Sequence, residues 1–176
     1  MLEKIFPNKG IVSDLYYSDQ YIRKILEEVK TIAMVGCSAQ WNRPSHFAMK
    51  YLQGKGYRVI PVNPRYRGEK ILGETVYSEL GEIPSSFEIV DIFRASEAAG
   101  LTTDSAIALA GEKGISVVWM QLGVRNDAAA QRATTANLRV VMERCMKIEY
   151  GRLFGELGWS GVNSGVISAK RPRVRA

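Results

Sequence analysis

Thr31-Ile32-Ala33-Met34-Val35-Gly36 is a continuously apolar run that stops at a glycine, and Cys37-Ser38-Ala39-Gln40-Trp41-Asn42-Arg43-Pro44-Ser45 follows it directly. The order is strand, polar turn, helix, with Pro44 suited to a first helical turn. Residues 58–63, 88–93 and 116–121 are similar apolar runs, and 138–142 is a short fifth. Runs of this kind suit strands buried on both faces of a parallel sheet. Stretches of helical character lie between them at 44–54, 96–113 and 126–137. Strands alternating with helices predict right-handed βαβ units and an α/β, doubly wound, mainly parallel sheet of about five strands with helices on both faces.

Upstream, Ile22, Ile25, Leu26 and Val29 recur at helical spacing within 19–30, with Ser18 or Asp19 as cap. The exception to the alternation is 64–84, where Gly68, Gly73 and Gly81 interrupt short apolar pieces and predict loop with a hairpin or turn. From Gly151 onward glycines recur with little periodicity. The expected organisation is therefore an amino-terminal segment over 1–17, one domain over 18–150 and a glycine-punctuated extension over 151–176.

At 176 residues, 46% hydrophobic and 24% charged, the chain has the composition of an ordinary soluble domain. Two cysteines make no disulfide framework, and no run approaches the ~18 apolar residues of a membrane span. The start lacks a signal-peptide core, which reads as a reducing, cytoplasmic setting. The net charge of +6 comes mostly from Lys170, Arg171, Arg173 and Arg175. Without those four the body is nearly neutral, so the tail reads as a solvated end rather than a nucleic-acid-binding element.

In an open parallel sheet, ligands bind at the carboxyl ends of the strands where strand order reverses. N–H groups at the helix start near Arg43, with Ser38 and Ser45 beside them, suit a phosphate, although an ordinary capped βα turn looks the same. A dinucleotide fold would want G-x-G-x-x-G here, but only Gly36 is present, with Ser38 and Trp41 in the other glycine positions. After the second strand the chain reads Asn63-Pro64-Arg65-Tyr66-Arg67 in place of a ribose-binding carboxylate. Arg65, Arg67 and Lys70 would attract an extra ribose phosphate. That favours the 3′-phosphate of coenzyme A or the 2′-phosphate of NADP.

The set Gly36 to Ser38, Arg43-Pro44-Ser45, Gly56 to Pro64, Asp91 to Arg94, Trp119 to Gly123 and Arg144 to Tyr150 resembles the stand-alone CoA-binding domain family over roughly residues 20–150. That family is similar to the amino-terminal CoA-binding domain of the succinyl-CoA synthetase α subunit, a Rossmann-like fold without the dinucleotide glycines. The resemblance implies that Gly36, Cys37 and Ser38 line the diphosphate of coenzyme A or an acyl-CoA, with Arg43 supplying charge and Trp41, Pro44 and Ser45 completing the loop. It implies that Asn63, Pro64 and Arg65 hold the adenosine and its 3′-phosphate. Phe93 and Arg94 would border the adenine or ribose, and Gln121 to Gly123 would close the site near the pantetheine arm. The family more often has alanine where this chain has Cys37.

The synthetase works through a phosphorylated histidine in a further domain, and the only histidine here, His46, lies in the first helical turn after Ser45. The sequence offers neither a Ser/His/Asp set nor a zinc cluster. Cys37 at a helix start beside arginines could carry a depressed pKa and form a mixed disulfide, though small buried cysteines are commoner. Asp91, inside a strand, either pairs with a base or marks the strand end. Trp119 and Met120 read as core. The reading is a non-catalytic binding, sensing or carrier domain, with an NADP-binding oxidoreductase and a nucleic-acid-binding protein as alternatives. A homodimer or another protein partner stays open, since no heptad or exposed apolar face argues for one.

Overall fold

The computed structural model describes residues 15–155. The expectations for residues 1–14, for the extension past 155 and for the basic tail lie outside the described residues. The Ser18 hydroxyl caps the first helix, accepting from the Tyr21 N–H at 3.2 Å. Helix α1 (Asp19–Glu28) buries Ile22, Ile25 and Leu26, the predicted stripe. Then follow β1 (Thr31–Val35), α2 (Pro44–Gly54), β2 (Arg58–Val62), β3 (Lys70–Ile71), β4 (Glu74–Thr75) and β5 (Ile89–Ile92). The chain continues through α3 (Ser96–Lys113), β6 (Val117–Met120), α4 (Asp127–Thr135), β7 (Arg139–Val141) and α5 (Met146–Leu153).

Five strands form one parallel sheet in the order β2-β1-β5-β6-β7, and β3 and β4 make a separate antiparallel hairpin. Because successive side chains in a strand face opposite ways, Ile32 and Met34 of β1 join a core with α1, α2 and α5. Ala33 and Val35 join the other core, with α3 and α4. Each fully buried Ile or Met in these two layers contributes about 1.5–3 kcal/mol. The doubly wound sheet is thus the one the apolar runs predict. Residues 64–84 hold the β3–β4 hairpin and single 3₁₀ turns at Pro64–Tyr66 and Leu80–Glu82.

One element departs from the sequence reading. Helix α5 was not expected, and it crosses the anticipated domain end at 150, with Gly151 and Leu153 buried. Its buried positions Met146, Glu149 and Leu153 stand at i, i+3 and i+7, a helical spacing hidden by the short length. Among the described residues no helix is long and apolar enough to cross a membrane. The connection from β2 to β5 returns past β1, so strand order reverses between β1 and β5. That reversal opens a crevice at the carboxyl edge.

Candidate functional site

The crevice is a cavity of about 830 Å³, within the usual range for ligand sites. Of the expected site residues, Gly36, Ser38, Arg43, Pro44 and Ser45 line it from the β1–α2 turn. Asn63 and Arg65 line it from the end of β2, Phe93 and Arg94 from the end of β5, and Gln121 from the end of β6. Cys37, Trp41, Pro64 and Gly123 are not among the lining residues.

The β1–α2 turn is tied in place by its own side chains. Ser45, buried at the start of α2, accepts the Ser38 N–H on its hydroxyl at 3.0 Å. Ser38 in turn accepts the Gln40 N–H at 3.2 Å. His46 Nδ1 lies 3.2 Å from the Ser38 carbonyl; a carbonyl only accepts, so that nitrogen carries the proton. The N–H groups of Ser38 and Gln40 are therefore held within the loop, where the sequence suggested open phosphate donors. What remains turned to the cavity here is charge. Arg43 Nε donates to Gln40 Oε1 at 3.2 Å, which orients the guanidinium.

Gly36 makes the turn possible. Its φ is +85°, and a Cβ there would come within 3.0 Å of the Phe93 carbonyl carbon and 2.9 Å of Arg94 Cδ. The Gly36 N–H also reaches the Val62 carbonyl at 2.8 Å. Three strand exits meet at this one residue.

Asn63 bridges two of them: its Nδ2 donates to the Cys37 carbonyl at 2.8 Å and its Oδ1 accepts the Arg65 N–H at 3.1 Å. Both ends of the amide are engaged, so Asn63 shapes the site more than it offers bonds to a ligand. Arg65 projects into the cavity from the following 3₁₀ turn, with its guanidinium 5.7 Å from the Tyr66 ring centre. Arg67, expected to help attract a phosphate, pairs instead with Glu82 at 2.7 Å, and Lys70 lies exposed on β3 outside the cavity.

Cys37 is a small buried cysteine, the commoner of the two readings, and its side chain is not in the cavity lining. The left-handed Gly36 turns its side chain into the core, wholly buried, with Sγ 3.6 Å from Met49 Sδ. Burial, aided by the nearby Asp91 charge, pushes its thiol up to about 12, opposite to the depressed value that helix-start chemistry would give. Trp41 is 74% exposed and is not among the lining residues. Gly123 adopts φ +78° in open space at the β6–α4 turn. Among the described residues Asp91 has no basic partner: Gln121 Nε2 donates to its Oδ1 at 2.8 Å.

Leu122, inside the expected Gln121 to Gly123 stretch, lines the cavity, and sequence reasoning gave no role to Gln40, Phe47, Tyr66, Val124, Cys145, Lys147 or Ile148, all of which also line it. The last three come from the start of α5. Arg43, Arg65, Arg94 and Lys147 thus face a space to which, among the described residues, no carboxylate contributes. The neutral contributors at the β6 and α5 end are Gln121, Leu122, Val124 and Ile148. The lining therefore attracts an anion beside the exits of β2, β1 and β5 and offers amide and apolar groups beside β6, with Lys147 of α5 adding one further cation.

The chain is similar to known proteins over most of the described fold. The family described as CoA binding domain matches residues 30–151. The uncharacterized protein YneT of Bacillus subtilis is 35% identical over 129 residues, 73% of this chain and 91% of its own. A solved structure from Thermus thermophilus is 36% identical with a TM-score of 0.73, covering 78% of this chain and 100% of that one. A hypothetical protein from Pyrococcus horikoshii is likewise 36% identical with a TM-score of 0.73, over 86% and 100%. The acetyl-coenzyme A synthetase of Ca. Korarchaeum cryptofilum shares the fold at 19% identity and TM-score 0.52, over 65% of this chain and 26% of that one. With the family match spanning the sheet from β1 to the middle of α5, the chain belongs to the CoA-binding domain family.

Proposed function

We propose that the chain binds coenzyme A or an acyl-CoA along the carboxyl edge of the sheet, as a binding, sensing or carrier domain and not as a catalyst. The supporting observation is the order of chemistry along that edge. Neighbouring strands lie about 4.8 Å apart, so the four steps from β2 to β7 span roughly 19 Å. Arg65 belongs to one end, Arg43 and Arg94 to the middle, and the amide and apolar groups of Gln121, Leu122, Val124 and Ile148 to the other. Coenzyme A has the same sequence of parts: a ribose 3′-phosphate, a diphosphate and a neutral amide arm.

In this reading Arg43 supplies charge to the diphosphate, Ser38 offers its hydroxyl proton, and Gly36 leaves room for close approach, while Pro44 and Ser45 hold that loop. Arg65 meets the 3′-phosphate, with Asn63 and Pro64 fixing the turn that carries it. Phe93 and Arg94 border the ribose or adenine, and Gln121 and Gly123 adjoin the pantetheine arm. Cys37 contributes backbone only. The setting is a reducing, cytoplasmic one, in keeping with free thiols at Cys37 and Cys145.

Calorimetric titration with coenzyme A, 3′-dephospho-CoA and NADP tests the reading. Charge-assisted hydrogen bonds contribute about 1.5–3 kcal/mol. Loss of the 3′-phosphate should therefore weaken binding about 10- to 100-fold, and Arg65→Ala should cost as much for coenzyme A yet little for 3′-dephospho-CoA. Equal or tighter binding of NADP would overturn the proposal.

A further inference from the structure

Asp91 is a carboxyl group in the middle of an apolar sheet. It stands in register between Met34 of β1 and Trp119 of β6 and is completely buried. The other strand residues on its face, Ile32, Ile89 and Val117, are aliphatic. Its Oδ1 accepts from Gln121 Nε2 at 2.8 Å, and its Oδ2 meets no hydrogen-bond partner among the described residues. Packing alone gives no reason for a carboxyl here, since a buried polar atom left unpartnered costs stability.

Gln121 supplies the reason, because it lines the cavity while only 4% exposed. A side-chain amide has a donating end and an accepting end, whereas an ionised carboxylate only accepts. Asp91 therefore takes the NH₂ end of Gln121, and the amide oxygen is left for the cavity. No described residue donates to that oxygen.

We propose that Asp91 is a positioning residue: it holds Gln121 with its amide oxygen toward the cavity, where that oxygen accepts an amide N–H from the neutral arm of the ligand. This rests on the coenzyme A reading, in which the arm carries two such amides. It deepens that reading by assigning the selection of an N–H donor to a residue that the ligand never touches.

The arrangement depends on the charge of Asp91. Burial raises its pKa to about 7, offset in part by the Gln121 hydrogen bond. The titratable groups facing it are the Cys37 thiol beyond β1 and the Cys145 thiol at the start of α5, both raised by burial and so protonated at neutral pH. From α2 the neighbour of Cys37 is Met49, which does not titrate. Lys147 of α5 is drawn to the Tyr51 ring, 5.7 Å from its centre. Below neutral pH a protonated Asp91 can donate as well as accept, and the Gln121 amide loses its single orientation.

The test compares coenzyme A with the 5′-terminal methyl ester of adenosine 3′-phosphate 5′-diphosphate, which carries the same anionic end without the arm, by calorimetry at pH 6 and pH 8. On both ligands the phosphate that titrates in this range is then the 3′-phosphate, so the ratio of the two affinities removes its protonation. In the wild-type chain the ratio should rise about three- to tenfold from pH 6 to pH 8, the worth of one net hydrogen bond. Asp91→Asn, which accepts either orientation of Gln121, should give a low and flat ratio. Gln121→Leu, which removes the acceptor, should do the same. A ratio in the wild-type chain that is independent of pH and equal to that of Gln121→Leu would overturn the inference while leaving the coenzyme A reading intact. Failure of both ligands to bind would overturn that reading and the inference with it.

Discussion

Replacing Gly36 with alanine should destabilise the domain by about 3 kcal/mol and damage the cavity at the same time. The backbone contribution comes from φ +85°, a left-handed conformation that costs an L-residue about 1–2 kcal/mol. The steric contribution comes from a Cβ that would overlap the Phe93 carbonyl oxygen and lie 3.0 Å from its carbonyl carbon. Arg94 Cδ, at 2.9 Å, belongs to a flexible side chain and can move aside. The Phe93 backbone is less free, because its N–H is bound to the Val35 carbonyl at 2.8 Å. Relief therefore requires the exits of β1 and β5 to separate, an overpacking strain of about 1–3 kcal/mol. At 2–4 °C per kcal/mol for a chain of this size, the melting temperature should fall about 6–12 °C. Gly114→Ala, at the carboxyl end of α3 and outside the cavity, is the control, since φ there is +79° but nothing lies within 4 Å of its Cβ; it should lose only the backbone contribution. Urea unfolding at 25 °C measures both variants, and calorimetry their coenzyme A affinity, which should drop more than about tenfold for Gly36→Ala alone. Equal destabilisation of the two variants, or unchanged affinity in Gly36→Ala, would refute the reasoning.

The buried Asp91 carboxyl makes stability depend on pH in a direction opposite to that of most acidic side chains. Its pKa in the folded chain, about 7, stands above the ordinary 3.8, so its contribution is present below pH 4 and lost as pH rises to 7. The loss is about 1.4 kcal/mol per pH unit, or about 4 kcal/mol across the window. Asp91→Asn has nothing to titrate and offers the same unpartnered donor as the protonated acid. Its stability advantage in urea unfolding should grow from pH 4 to pH 7 and then level off, and parallel profiles would exclude a raised Asp91. For the thiols, a disulfide reagent at pH 8 should modify Cys145, which lines the cavity, well before the buried Cys37. Coenzyme A should slow the Cys145 reaction; a native Cys37 reacting as fast as in urea would contradict its burial.

The parts of the fold that were legible are those set by short-range pattern. The run from Thr31 to Val35 has no polar residue on either face after Thr31, which only a strand covered on both sides tolerates. Pro44 marked the first residue of α2, as a missing N–H does at a helix start. What escaped was fixed by contacts between distant segments. Arg65 and Arg67 look alike in sequence, two residues apart, and it is Glu82, on another turn, that draws Arg67 out of the site. Cys37 continues a strand in sequence, but the positive φ of Gly36 breaks the alternation and reverses the direction of its side chain. Asn63 reads as a ligand donor until its two ends are found on Cys37 and Arg65. Helix α5, at eight residues with a glycine inside, is too short to stand out by periodicity, and it takes its stability from packing. Its loss from the reading removed Cys145, Lys147 and Ile148 from the expected lining.

Helix α5 forms one wall of the cavity at its first turn and is gripped from behind at its last. Arg152 bonds Asp19 at 2.7 Å, Arg23 donates to the Leu153 carbonyl, and the Arg23 guanidinium lies 4.9 Å over the Phe154 ring. The element doing the gripping is α1, which precedes the family match that begins at residue 30. A chain shortened to that match would retain every residue that lines the cavity and yet lose the buttress against which one of its walls stands. Tightness of the site is therefore a property of the whole described fold: the segment nearest the amino terminus sets how firmly the far end of the chain closes on what the middle binds.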